Sequence, residues 1–169
     1  MFDVHPIMVH FPIALLTVYA LMELLRFRKL TSQAYWFYVK ALFAIIGSLA
    51  TTAALFTGNL AKSNFVPGPQ ASLVHLHSNF AAVSSYIFAL IALLYLLAWL
   101  GKQQYHLKAP WRRIWELKLR TVNYFLGWPV IIIALIGLGC ITITGALGGA
   151  LVYGTNVDPV VSIVYHLFF

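Results

Sequence analysis

Residues 75–100 read HLHSNFAAVSSYIFALIALLYLLAWL, and none of them is Asp, Glu, Lys or Arg. A helix needs about 20 predominantly apolar residues to cross the hydrocarbon core of a bilayer. Lipid also demands that backbone groups bond within their own segment, which a helix achieves. Working outward, three more stretches have this character, and the predicted spans are about 7–25, 36–57, 75–100 and 122–147. The expected fold is all-α: an integral membrane four-helix bundle, one domain over 1–169, with a short C-terminal segment from 158 lying at the interface.

Composition points the same way. The 169 residues are 62% hydrophobic and only 9% charged, with a mean hydropathy of +0.86. A soluble domain is nearer half apolar and a quarter charged. The excess cannot be buried in one small core, so the lipid bilayer is expected to cover the rest. The net charge is +7, but the basic residues fall in short connections, so no nucleic-acid partner is expected. Arg26, Arg28, Lys29, Lys40, Lys102, Lys108, Arg112, Arg113, Lys118 and Arg120 collect on one side, with only Lys62 on the other. The positive-inside rule then places both termini and the 59–74 loop in the periplasm of a bacterial inner membrane.

Local signals punctuate the spans. Pro6 and Pro12 mark the first, Gly58-Asn59 reads as the cap of the second, and Gly101 closes the third. Trp128-Pro129 is expected to kink the fourth, where Gly127, Gly137, Gly139 and Gly145 allow close packing. The 102–120 stretch, with Trp111 and Trp115 among its basic residues, reads as an amphipathic helix on the headgroups. The first residues lack a basic leader region, so the first helix is expected to remain in the mature protein. A single cysteine, Cys140, excludes an internal disulfide, a Cys-pair zinc site and covalent c-type haem attachment.

Five histidines carry the chemical signal. His5, His10, His75, His77 and His166 fall at one set of helix ends, and His106 at the other. An imidazole at a lipid boundary is costly without a partner. Two residues apart on a helix is roughly 200° of rotation, so His75 and His77 point in opposite directions and should not share one ligand. That disfavours a compact zinc cage. It suits one imidazole from the first span and one from the third, on opposite faces of a planar haem b. His10 with His75 is the first choice of axial pair, on the expectation that both face the bundle interior. His5 and His77 are the candidates for a second haem, and His166 follows. Phe11, Phe80, Tyr153, Gly148 and Gly149 are candidate pocket walls. Taken singly, an interfacial histidine is more often a headgroup contact or a cap.

Other polar residues are weaker signals. Glu23 is expected to pair with Arg26 or Lys40, and a structural role outweighs proton relay. Asp3 and Asp158, the only acids on the outward side, are candidates to form a salt bridge or to orient a histidine's second nitrogen. No nucleophile–His–acid set, phosphate-binding glycine loop or carboxylate pair is present, so the chain reads as an electron-transfer subunit rather than a stand-alone enzyme.

The opening His5-Pro6-Ile7-Met8-Val9-His10-Phe11-Pro12-Ile13-Ala14-Leu15-Leu16 resembles a widespread bacterial membrane family, domain of unknown function 2231. The likeness extends to Gly58, to His75 with Asn79, and to Gly148-Gly149-Ala150-Leu151-Val152-Tyr153. The family pattern often has an acid soon after the helix-two glycine and a basic residue or His after the tyrosine. Here those positions hold Asn59-Leu60-Ala61 and Gly154-Thr155-Asn156, and His77 looks like an addition. The resemblance implies four helices, marks His5, His10 and His75, and fits a haem role because relatives occur beside redox proteins. Three readings follow from different classes. The first is a b-type cytochrome subunit with a periplasmic redox partner. The second is a cofactor-free structural subunit, and the third a copper or other metal site. Assembly with other membrane subunits or as a homo-oligomer is expected under each.

Overall fold

A computed structural model describes residues 4–63, 68, 70–102 and 109–169, the side chains of 63 and 109–115 excepted. Among the described residues the chain is helical, with no strand. The elements are α1 (His5–Leu24), α2 (Arg28–Thr31), α3 (Ala34–Ser63), α4 (Ala71–Lys102), α5 (Ala109–Phe125), α6 (Trp128–Tyr153) and α7 (Pro159–Phe168). Helices α1, α3, α4 and α6 are long and apolar enough to cross a membrane.

The long helices run antiparallel to their neighbours. α1 packs on α3 and α6, and α4 packs on the same two helices. Thus α1 and α4 face each other across a diagonal, not side by side. Their side chains meet in the centre, where Leu16, Tyr19 and Ala20 lie among Phe88, Ile91 and Tyr95. Lipid is as apolar as leucine, so close packing rather than water expulsion holds such helices together. Small residues permit it: Ala41 and Ala44 of α3 and Ala134 of α6 are buried in the same core.

The spans differ in register from the sequence expectation, most clearly at the fourth. It was placed at 122–147, with a kink at Trp128-Pro129, but α6 runs Trp128–Tyr153. Proline lies in the first turn of α6, where its missing N–H costs nothing, so the pair starts a helix instead of bending one. The residues before it belong to α5, which turns at Gly127. Similarly, Gly58 does not cap the second span, because α3 continues through it to Ser63.

The C-terminal segment forms α7. Gly154 takes a positive φ of 94°, a conformation glycine adopts without strain, and ends α6. Asp158 then caps α7, its carboxylate accepting from the Val161 backbone N–H at 2.9 Å. That corrects the expectation that Asp158 orients a histidine. Val161 and Val164 of α7 pack on Leu73, Ala146, Leu147 and Ala150, a second core beside the histidines. Asp3 and His106 lie outside the described residues.

Candidate functional site

Two ends of the bundle concentrate polar side chains. The starts of α1 and α4 and the ends of α3 and α6 meet at one, here the histidine end. The other, the basic end, gathers α2, α5, the start of α3 and the end of α4.

At the histidine end the structure brings together His5 and His77. Their ring centroids are 6.4 Å apart and their planes cross at 88°. They reach each other from α1 and α4, across the bundle diagonal. His77 Nδ1 donates to the Thr144 carbonyl of α6 at 3.0 Å. A carbonyl only accepts, so the proton sits on Nδ1 and the lone pair on Nε2. His5 Nδ1 is 3.1 Å from Thr57 Oγ1 of α3. That hydroxyl donates its own proton to the Ala54 carbonyl at 3.0 Å. Its oxygen is therefore the acceptor, and His5 also carries its proton on Nδ1.

Each ring lies against a glycine. A Cβ at Gly58 would stand 2.9 Å from His5 Cε1, and one at Gly148 would stand 3.2 Å from His77 Cε1. The first is closer than real contacts allow. Glycine here gives an imidazole room inside a packed bundle, on α3 in one case and α6 in the other.

The other histidines go elsewhere. His10 and His75 are exposed on the helix surface, against the expectation that both face the interior. His10 Nδ1 donates back to the Pro6 carbonyl of its own helix at 2.5 Å. The reason is angular. His5 faces inward, and five residues further on the helix has turned away from that face; His75 lies opposite the inward His77 on α4. His166 is exposed on α7. Among the proposed walls, Gly148 lies against His77. Phe80 packs on Phe168, with centroids 5.4 Å apart, Gly149 lies against Val161, and Phe11 and Tyr153 are exposed. No group of three or more metal-ligating residues occurs among the described residues.

At the basic end, Glu23 is buried, with 1% of its surface exposed. Tyr19 donates to its Oε1 at 2.9 Å and Tyr95 donates to the same oxygen. Lys40 Nζ donates to Oε2 at 2.9 Å, and Arg26 Nη2 stands 3.7 Å from it. Arg26 also donates to the Gly127 carbonyl at 2.6 Å, tying α1 to the start of α6. Glu23 thus pairs with both of the cations considered for it. The two tyrosines were not foreseen. Their places, one turn before Glu23 and toward the basic end of α4, were a legible signal, because a buried carboxylate needs hydroxyl donors as well as a counter-ion.

With the geometry described, comparison with known proteins adds the family. A family model described as a predicted membrane protein (DUF2231) matches residues 2–160, and the chain belongs to that family. No curated protein and no solved structure matches it.

Proposed function

For this member of a membrane-protein family, we propose that His5 and His77 would hold one haem b, and that the chain is an electron-transfer subunit. One observation carries the reading: two imidazoles with their protons on Nδ1 converge from opposite helices at 6.4 Å between centroids. With metal–nitrogen distances of about 2 Å, imidazoles on opposite sides of one metal atom bring their centroids to about 6 Å. A bent arrangement on a tetrahedral ion would bring them closer. The observed separation is compatible with both rings approaching one metal centre. Metal-bound histidines usually donate their second nitrogen to a carbonyl or similar acceptor, as both do here.

The flanking glycines support the same reading. Gly58 and Gly148 admit the two imidazoles to the bundle interior from the α3 and α6 sides, so that both rings can serve one group. The haem would supply one-electron transfer at its iron. The chain's own part would be to present two imidazole nitrogens and keep their tautomer through Thr57 and Thr144. The excess of basic residues at the other end supports a histidine end in the periplasm of a bacterial inner membrane, facing a redox partner there. The many exposed apolar side chains support contact with lipid and with other membrane subunits or further copies of the chain.

The test is a reduced-minus-oxidised spectrum of the full chain purified in detergent after growth with haem precursor. The wild type shows a Soret band, His5→Ala and His77→Ala lose it, and His10→Ala and His75→Ala keep it. Absence of any band in the wild type overturns the proposal. A second reading has its own observation: the imidazoles themselves fill the glycine notches, as pegs in a cofactor-free structural subunit. It predicts no band, with His5→Ala and His77→Ala lowering Tm.

A further inference from the structure

Glu23 has its full complement of donors, yet the cations around it are not balanced. Arg26 and Lys40 both reach its carboxylate, so the described groups of this cluster carry one negative charge against two positive ones. Beside them lies a cavity of about 220 Å³, lined among others by Arg26, Lys40, Trp36, Thr31, Gln33 and Tyr95. None of its described lining residues is acidic. Arg26, Thr31 and Gln33 are exposed, so the cavity opens on the aqueous side of the basic end.

The donors here outnumber the acceptors. A guanidinium has five N–H groups and an ammonium three. Arg26 uses its Nη2 on Gly127 and Glu23, and Lys40 directs one bond to Glu23 and sits 5.7 Å over the Tyr95 ring. The indole N–H of Trp36 is buried with no partner among the described residues, an unusual condition for a donor in a folded protein. Arginine's planar fork matches the oxygens of a phosphate, and a lysine adds a point charge. Such a charge excess attracts an anion, less strongly on the exposed Arg26 side than beside the more buried Lys40. The volume holds one phosphate group with a few waters, each water occupying about 30 Å³.

We propose that this cavity, between the turn after α1, α2, the start of α3 and α4, is a binding site for a phosphate group, with Arg26 and Lys40 as its ligands. It stands independently of the histidine end. The phosphate could belong to a free phosphate ion or to a lipid headgroup, and one set of measurements separates them. The full chain in detergent is heated in chloride buffer with increasing inorganic phosphate at constant ionic strength. In parallel, native mass spectrometry follows retention of phosphatidic acid against phosphatidylcholine, whose phosphate is covered by choline. A saturable rise in Tm with phosphate supports the free ion. Selective retention of phosphatidic acid without that rise supports the headgroup. In either case Arg26→Gln weakens binding about tenfold, and Lys29→Gln, exposed at the same end, leaves it unchanged. Should Arg26→Gln fold poorly, the double variant Glu23→Gln/Lys40→Met removes the ion pair without stranding a charge and carries the same expectation. Neither a Tm rise nor selective retention in the wild type overturns the proposal, as does undiminished binding in both variants.

Discussion

At the basic end a charged carboxylate is closed off from solvent and met by two tyrosines and two cations, whereas at the histidine end half-buried imidazoles are held by a threonine hydroxyl and a backbone carbonyl. Both clusters join α1 to α4 across the same diagonal. They differ in what a missing partner leaves behind. Removing one member of the basic cluster strands an ion in a low-dielectric core. Removing an imidazole strands, among the partners described, a hydroxyl already bonded elsewhere and a helix carbonyl, neither of them charged. The basic end should therefore govern stability, and the histidine end function.

That contrast can be broken most directly by Glu23→Ala, which leaves Lys40 without its carboxylate and two phenols without an acceptor. It should destabilise the protein by roughly 3–5 kcal/mol, read as a fall in Tm in detergent. Glu23→Gln, which keeps an acceptor, should cost less, and equal losses in the two variants would count against the charge argument. Next in size is Gly58→Ala. Its new methyl group would press on His5, for about 1–3 kcal/mol of overpacking and a displaced imidazole visible in any haem spectrum. Gly148→Ala should do less, because the gap to His77 is wider, 3.2 Å against 2.9 Å. Arg26→Gln loses a bond to the Gly127 carbonyl and a long ion pair, but its side chain is 33% exposed and screened by water. About 1 kcal/mol or less is expected, measured by the same melts. Smallest is His10→Ala, on an exposed surface, within about 0.5 kcal/mol and with the spectrum unchanged. A large effect there would restore His10 to the site and undo the contrast.

The four apolar helices were legible because bilayer thickness and backbone hydrogen bonding leave a charge-poor run of that length little alternative. The beginning of α6 was harder to place. Trp128-Pro129 reads equally as a kink or as a first turn, and only the packing of α5 decides between them. The histidine site was half legible. Angular spacing correctly separated His75 from His77, and the first and third long helices do supply one ring each. Which ring faces inward depends on helix rotation, and the apolar faces of α1 and α4 are too uniform to report it. Lipid and core ask for the same side chains, so amphipathic periodicity fades and His10 looks as promising as His5. Gly58 stood out in the sequence, but as the end of a helix. Its contact with His5 is a tertiary fact that no local pattern encodes.

The reversal at Gly154 has a practical consequence. It folds α7 back so that Phe168 rests on Phe80, one turn from His77, and α1 begins at the same end with His5. A polyhistidine purification handle fused at either terminus would hang competing imidazoles at the same end as His5 and His77. Spectra of such fusions would confuse borrowed ligands with native ones, so a handle free of histidine, or one cleaved before measurement, suits this chain better.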